Sequence, residues 1–279
     1  MKKIAASTVA VLALAAALLA AVGASGAGQA TSIRLATTLN AAQEVPPPEG
    51  NVAGARGTFT ATANASATGA TLEWNLTFAE LTGPAVAAHI HTGQRGQAGP
   101  VVVPLCGPCQ SPASGTANVA APVLDALENG SAYVNVHTAR NAPGEIRGQV
   151  GITASARAAL TARQEVPRPK GSVNRARGAF TGTVTKSGAT GSLTWRLTFS
   201  RLTGRAVAAH IHTGVRGRSG PVVVPLCGPC RSGVRRTVTL QASVLAALEA
   251  GRAYVNIHTA RNPAGEIRGQ IGAVPLSIS

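Results

Sequence analysis

Aromatic residues are nearly missing from this chain: two Trp, two Tyr and four Phe make up 3% of 279 residues. Without rings to stack bases, single-stranded nucleic acid is not an expected partner. Acidic residues are scarce too, 10 Asp and Glu against 25 Lys and Arg. No GxSxG elbow, HExxH helix, phosphate loop or dinucleotide fingerprint occurs, which removes the common hydrolase, metalloprotease and nucleotide-binding signatures. Past the N-terminus no segment is apolar enough to span a bilayer. There are only four cysteines, and none lies near the small-residue stretch AVGASGAGQA, which argues against a lipid-modified start.

What is present begins with a leader. Lys2 and Lys3 precede an apolar run from Val9 to Val22, and small residues follow. That order reads as a secretory signal peptide over residues 1–30, cleaved between Ala24 and Ala30. The expected location is secreted, periplasmic or cell envelope. The rest of the charge is lopsided: residues 32–150 hold 5 basic and 7 acidic residues, whereas residues 151–279 hold 18 and 3. A basic second half is suited to anionic polymers such as cell-wall or acidic polysaccharide.

The chain repeats itself. Residues 81–109 and 202–230 agree at 25 of 29 positions, at a constant offset of 121. The same offset relates Gln43-Glu44-Val45-Pro46 to Gln164-Glu165-Val166-Pro167, Trp74 to Trp195 and Tyr133 to Tyr254. A period this long means two whole domains, read as residues 31–152 and 153–279. Within each, period-2 alternation broken by turns predicts short strands. In the first unit these are Ile33–Leu39, Gly57–Ala63, Thr71–Phe78, Ala87–His91, Val101–Leu105, Gly115–Ala120, Ala132–His137 and Glu145–Val150. One short helix is expected at Pro122–Asn129, with Pro at its start and Gly130 after it. The fold class is all-β: two tandem Greek-key β-sandwiches, each with one short helix.

The ordered strings AAHIHTG, GPVVVPL, YVNVHT and PGEIRGQ, opened by QEVPP, resemble the chordin-type (CHRD) domain. The resemblance covers nearly all of each repeat. It implies an immunoglobulin-like sandwich, distantly similar to copper-zinc superoxide dismutase, and an exported, non-catalytic binding or scaffold role toward an extracellular ligand. The cysteine-rich modules with which chordin binds growth factors are absent, so growth-factor antagonism is not carried over.

All six histidines fall into equivalent sets, His89, His91, His137 and His210, His212, His258. Residues two apart on a strand point the same way, so His89 and His91 share a face opposite Ile90. His137 shares a face with Tyr133 and Asn135. With Ile90, Val134 and Val136 in the core, the three imidazoles emerge on the outer face, where neighbouring strands would bring them together as ligands for copper or zinc. The other reading of the same pattern is a polar cluster bonded to loop backbone or paired with Glu145. A dismutase-like metalloenzyme is a third reading, which the lack of further histidines weakens.

Cys-Gly-Pro-Cys occurs at Cys106–Cys109 and Cys227–Cys230. The following residues are turn-like rather than helical, unlike a thioredoxin site. Export favours oxidation, and pairing within each motif is the simplest connectivity; a zinc site mixing these cysteines with the histidines is the alternative. Of the carboxylates common to both units, Glu128 reads as a solvated surface charge, Glu44 as a turn element bonded to backbone, and Glu145 as a cross-strand partner of Arg147 or Arg140. The glycine-rich HTGQRGQAGP reads as a turn between strands.

Overall fold

A computed structural model of the chain describes residues 31–278; the expected signal peptide lies outside the described residues. The first unit contains β1 (Ser32–Asn40), β2 (Arg56–Ser66), β3 (Gly69–Ala79), β4 (Ala85–Thr92), β5 (Val101–Cys106), β6 (Ala113–Ala120), α1 (Ala121–Glu128), β7 (Ala132–Thr138) and β8 (Ile146–Gln149). The second repeats the order: β9 (Gly151–Thr161), β10 (Arg177–Ser187), β11 (Thr190–Ser200), β12 (Ala206–Thr213), β13 (Val222–Cys227), β14 (Val234–Leu240), α2 (Ala242–Glu249), β15 (Ala253–Thr259) and β16 (Ile267–Ile271). The eight expected strands and the helix of the first unit are all present.

Each unit is a sandwich of two antiparallel sheets. In the first, β6-β3-β2-β1 forms one and β5-β4-β7-β8 the other, and they touch at the Asn40–Arg147 corner. Alternation explains the packing: in β3, Leu72, Trp74 and Leu76 turn inward while Glu73, Asn75 and Thr77 face solvent. Opposite them Ile90, Val134, Val136 and Ile146 close the core. Helix α1 carries Pro122 in its first turn, packs Leu124 and Leu127 inward, and stops before Gly130, whose φ of +74° suits glycine.

The units are joined by more than a peptide bond. Strand β9 pairs with its own counterpart, β1, through Arg34–Thr153, Leu35–Ile152 and Ala36–Gly151. The order β6-β3-β2-β1-β9-β10-β11-β14 is therefore one continuous sheet across both units. A second tie corrects the reading of Glu128 as a solvated charge. Its side chain is buried, and its Oε1 accepts the backbone N–H of Ile278 at 2.7 Å. Ile278 is 150 residues away in the chain. No described helix is long and apolar enough to cross a membrane.

Candidate metal centre

Strands β4 and β7 are hydrogen-bonded neighbours, with His89 opposite Asn135 and His91 opposite Tyr133. All three imidazoles of the unit therefore lie on the face away from the apolar core, and the β4–β7 register draws them together. One ligand atom from each of His89, His91 and His137 lies within 4.8 Å of the others, and His210, His212 and His258 do the same.

The expectation of an open outer face needs correcting. His91 and His137 are only 7% and 8% exposed, and every residue of β7 is buried. The covering element is the loop Gly93–Pro100, read from the sequence as a simple turn. It is fastened by side chains of β7 and β8. Arg147 donates to the carbonyls of Gln97 (2.8 Å) and Gln94 (2.9 Å), and Gln149 donates to that of Gly93 (2.8 Å). The Tyr133 hydroxyl accepts the N–H of Gly99. Gly99 has to be glycine, because a Cβ there would overlap the Thr92 carbonyl.

Loop carbonyls orient the rings. The Nδ1 of His91 lies 2.9 Å from the Gly99 carbonyl, and the Nδ1 of His137 lies 2.9 Å from the Ala142 carbonyl. A carbonyl only accepts, so both Nδ1 atoms carry the proton and both Nε2 atoms keep a free lone pair. The Nε2 of His91 is buried without a hydrogen-bond partner. That of His137 lies 3.2 Å from the Nδ1 of His89, which donates to it in the metal-free chain. The available donor set is therefore His89 Nδ1, His91 Nε2 and His137 Nε2.

The metrics suit a small ion. Two nitrogens held at about 2.1 Å from a tetrahedral ion are about 3.4 Å apart, close to the 3.2 Å between His89 and His137. The carbonyls bonded to the remote ring nitrogens fix tautomer and ring angle, as outer partners of metal-bound histidine do. Burial, with neighbouring positive charge, holds all three histidine pKa values below the ordinary range, and so keeps the rings neutral. For His91 that charge is Arg147.

Sequence reasoning missed Tyr133, Arg147 and Gln149. The Arg147 guanidinium sits 3.4 Å from the centroid of the Tyr133 ring, and Tyr133 stacks on His91 at 4.9 Å. Arg147 is 1% exposed. The visible signal was that Arg147 and Gln149 alternate with Ile146 and so share the histidine face.

Glu145 is a further correction. It bonds neither Arg147 nor Arg140. Its fully buried carboxylate accepts from the backbone and hydroxyl of Thr82, from Thr138 (2.6 Å) and from Asn141 (3.0 Å). Burial alone would raise its pKa, but those hydrogen bonds together hold it below the ordinary value. Glu44 behaves in the opposite way: burial outweighs its hydrogen bonds from Val45 and Asn135 and raises it to about 7. The Glu44 Oε2 and Asn135 Oδ1 are both buried and unpartnered.

The cysteines stand apart from the histidines. Cys106 and Cys109 are disulfide-bonded with Cα atoms 5.3 Å apart, as are Cys227 and Cys230 at 5.2 Å, and neither three-histidine group includes a thiol.

The second unit reproduces this centre, and a family match accompanies the repetition. The CHRD domain model matches residues 35–150 and again residues 156–271. The chain belongs to the CHRD domain family. No curated protein and no solved structure matches it. In both CHRD domains the loop is held through main-chain carbonyls, so Gln94 and Gln97 can become Val215 and Arg218 without changing a contact.

Proposed function

We propose that each CHRD domain of this chain binds one copper or zinc ion through its three histidines, and that the protein does so as an exported metal-binding protein. The carrying observation is the buried, unpartnered Nε2 of His91 and of His212 beside two further imidazole nitrogens. Leaving a buried nitrogen unbonded costs about 1–3 kcal/mol, a cost that coordination would offset. The ion would supply Lewis-acid or redox character; the chain's own part is to present three neutral imidazoles at fixed angles. Two disulfides per chain fit an oxidising compartment.

Metal analysis of purified, untagged protein tests this. Two equivalents per chain are expected, falling to one in His89→Ala/His91→Ala, whose second domain is intact. Metal-free protein whose stability does not change in chelator or with added copper or zinc would overturn the reading.

A second reading is the non-catalytic binding or scaffold role. It is favoured by the stacking of His91 on Tyr133, which gives the ring a purpose without metal. In that case His91→Phe would retain stability in both the presence and absence of metal. Dismutase-like activity, the third reading, requires that copper-loaded protein speed the loss of superoxide and that the histidine substitutions abolish it.

A further inference from the structure

The second domain has become basic on a surface that is far from the histidine centre. Opposite residues on neighbouring strands share a face, and Arg157, Thr181, Arg196 and Arg235 form one such row across β9, β10, β11 and β14. Their neighbours Ala156, Ala158, Trp195 and Leu197 point into the core, so the row points outward, and its three arginines are exposed. Arg196 and Arg235 are direct cross-strand partners about 4.8 Å apart, a like-charge pairing that costs stability. The equivalent row in the first domain is Ala36, Thr60, Asn75 and Ser114, which carries no charge.

The arginines continue at the end of β11. A cleft of about 560 Å³ is floored by Phe199, Leu202 and Pro229 and rimmed by Arg201, Arg205 and Arg231. It lies roughly 17 Å along the strand from Arg196, five residues at about 3.3 Å each. Counterparts of these three are Glu80, Pro84 and Gln110. In the first domain Glu80 pairs with Arg56. In the second the pair has become Arg177 and Arg201 on the same turn, with φ of 57° at Glu80 and 58° at Arg201. Arg177 turns to the carbonyls of Asn174 and Ala176 instead.

None of these six arginine side chains has a hydrogen-bond or ion-pair partner among the described residues. The acids of this domain are already engaged: Glu165 with Val166 and Asn256, Glu249 with Ser277, and Glu266 with Thr203, Thr259 and Asn262. Six guanidiniums without a partner, three across the sheet face and three around the cleft at the end of β11, each replacing a neutral or acidic residue of the sister domain, form a track for an extended polyanion.

We infer that this track binds an acidic polysaccharide. Guanidinium forks match carboxylate and sulfate groups. Thr181 and Thr194 on the same sheet face offer hydroxyls to sugar hydroxyls. The row lies on an open sheet face, with no helix or ribbon to enter a DNA groove and no exposed aromatic side chain to stack a base. The exposed large apolar residues of this domain, Val207, Val215 and Val222, lie on other strands and loops, and Phe199 and Leu202 on the cleft floor are only half-exposed, so the track presents no projecting apolar anchor for a lipid surface.

Binding of the full chain to heparin and to polygalacturonate, at low and at physiological salt, tests the proposal. Both polymers are expected to bind in a salt-sensitive way. Arg157→Ala/Arg196→Asn/Arg235→Ser should weaken binding about tenfold, and adding Arg201→Glu and Arg231→Gln should weaken it further. Removing the same number of charges elsewhere, with Arg163→Ala/Arg168→Ala/Arg252→Ala, should change affinity by less than about twofold. Equal loss in both triple variants would overturn the track. Duplex DNA or anionic vesicles bound as tightly as the polysaccharides, and weakened by the same three substitutions, would overturn the polysaccharide assignment.

Discussion

The histidine centre and the outer sheet face have diverged at different rates between two copies of one domain. At the centre even the distances repeat: His89 to His137 and His210 to His258 are 3.2 and 3.1 Å, and each paired arginine meets its first loop carbonyl at 2.8 Å. On the sheet face Ala36, Asn75 and Ser114 have become Arg157, Arg196 and Arg235. Buried polar groups have fixed partners, so a change at one strands the others. Exposed strand positions carry no such constraint, and charge can accumulate there at small cost. The pattern separates a buried arrangement common to both domains from a charged face present only in the second.

The largest effect is expected from removing a buried acid. Glu145→Ala removes the acceptor of the Thr82 N–H and of the Thr82 and Thr138 hydroxyls, and one of the acceptors of Asn141, and about 4 kcal/mol of lost stability is expected in denaturant titration. Glu266→Ala should cost the same; a difference of more than about 1 kcal/mol would show that the copies are not energetically equivalent. Next, Arg147→Met releases the loop carbonyls and should cost about 3 kcal/mol. It should also lower metal affinity in the first domain about 10- to 100-fold, read by competition with a chelator. Arg147→Lys should not rescue, because an ammonium lacks the planar fork that reaches two carbonyls while lying on Tyr133.

The pH dependence comes third. Glu44 and Glu165 are raised to about 7, so folding favours their neutral form. Their contribution is fully present below the unfolded carboxyl value of about 4.3 and is lost as pH rises through about 7. Glu44→Gln should therefore stabilise by about 2 kcal/mol at pH 8 and have little effect at pH 4. The histidines act with opposite sign. Their folded values are lowered, so the unfolded chain takes up protons first and metal-free stability falls as pH drops below about 6.5. Glu44→Gln/Glu165→Gln should leave that acid limb alone. A flat profile between pH 5 and 7 in this double variant would contradict the neutral, buried imidazoles.

The smallest effect sharpens the contrast. Moving the charged row into the first domain, with Ala36→Arg/Asn75→Arg/Ser114→Arg, should cost no more than about 1 kcal/mol, because like-charge cross-strand pairs are weak at a solvated surface. It should confer polysaccharide retention on that domain; unchanged retention would mean that the cleft residues, not the row, dominate.

The strands, the helix at residues 121–128 and the grouping of the histidines could be read in advance because each depends on local periodicity and on a repeat visible as text. Val134 and Val136 inward force Tyr133, Asn135 and His137 to the other side. The destinations of Arg147, Glu145 and Glu128 were not legible. Their partners lie 50, 63 and 150 residues away, and a charged residue on a strand looks the same whether it faces water or a covering loop.

By itself, then, the sequence determined alternation, duplication and which side chains share a face, since these follow from backbone geometry that every strand obeys. Tertiary structure alone decided which faces are dry. The loop Gly93–Pro100 is tied down over Tyr133, Arg147 and Gln149, the Ala142 carbonyl holds His137, and so an outward polar row becomes a buried cluster with fixed tautomers, while β9 joins β1 so that one sheet runs through both sandwiches. Both depend on contacts between segments far apart in the chain, where no local pattern carries the information.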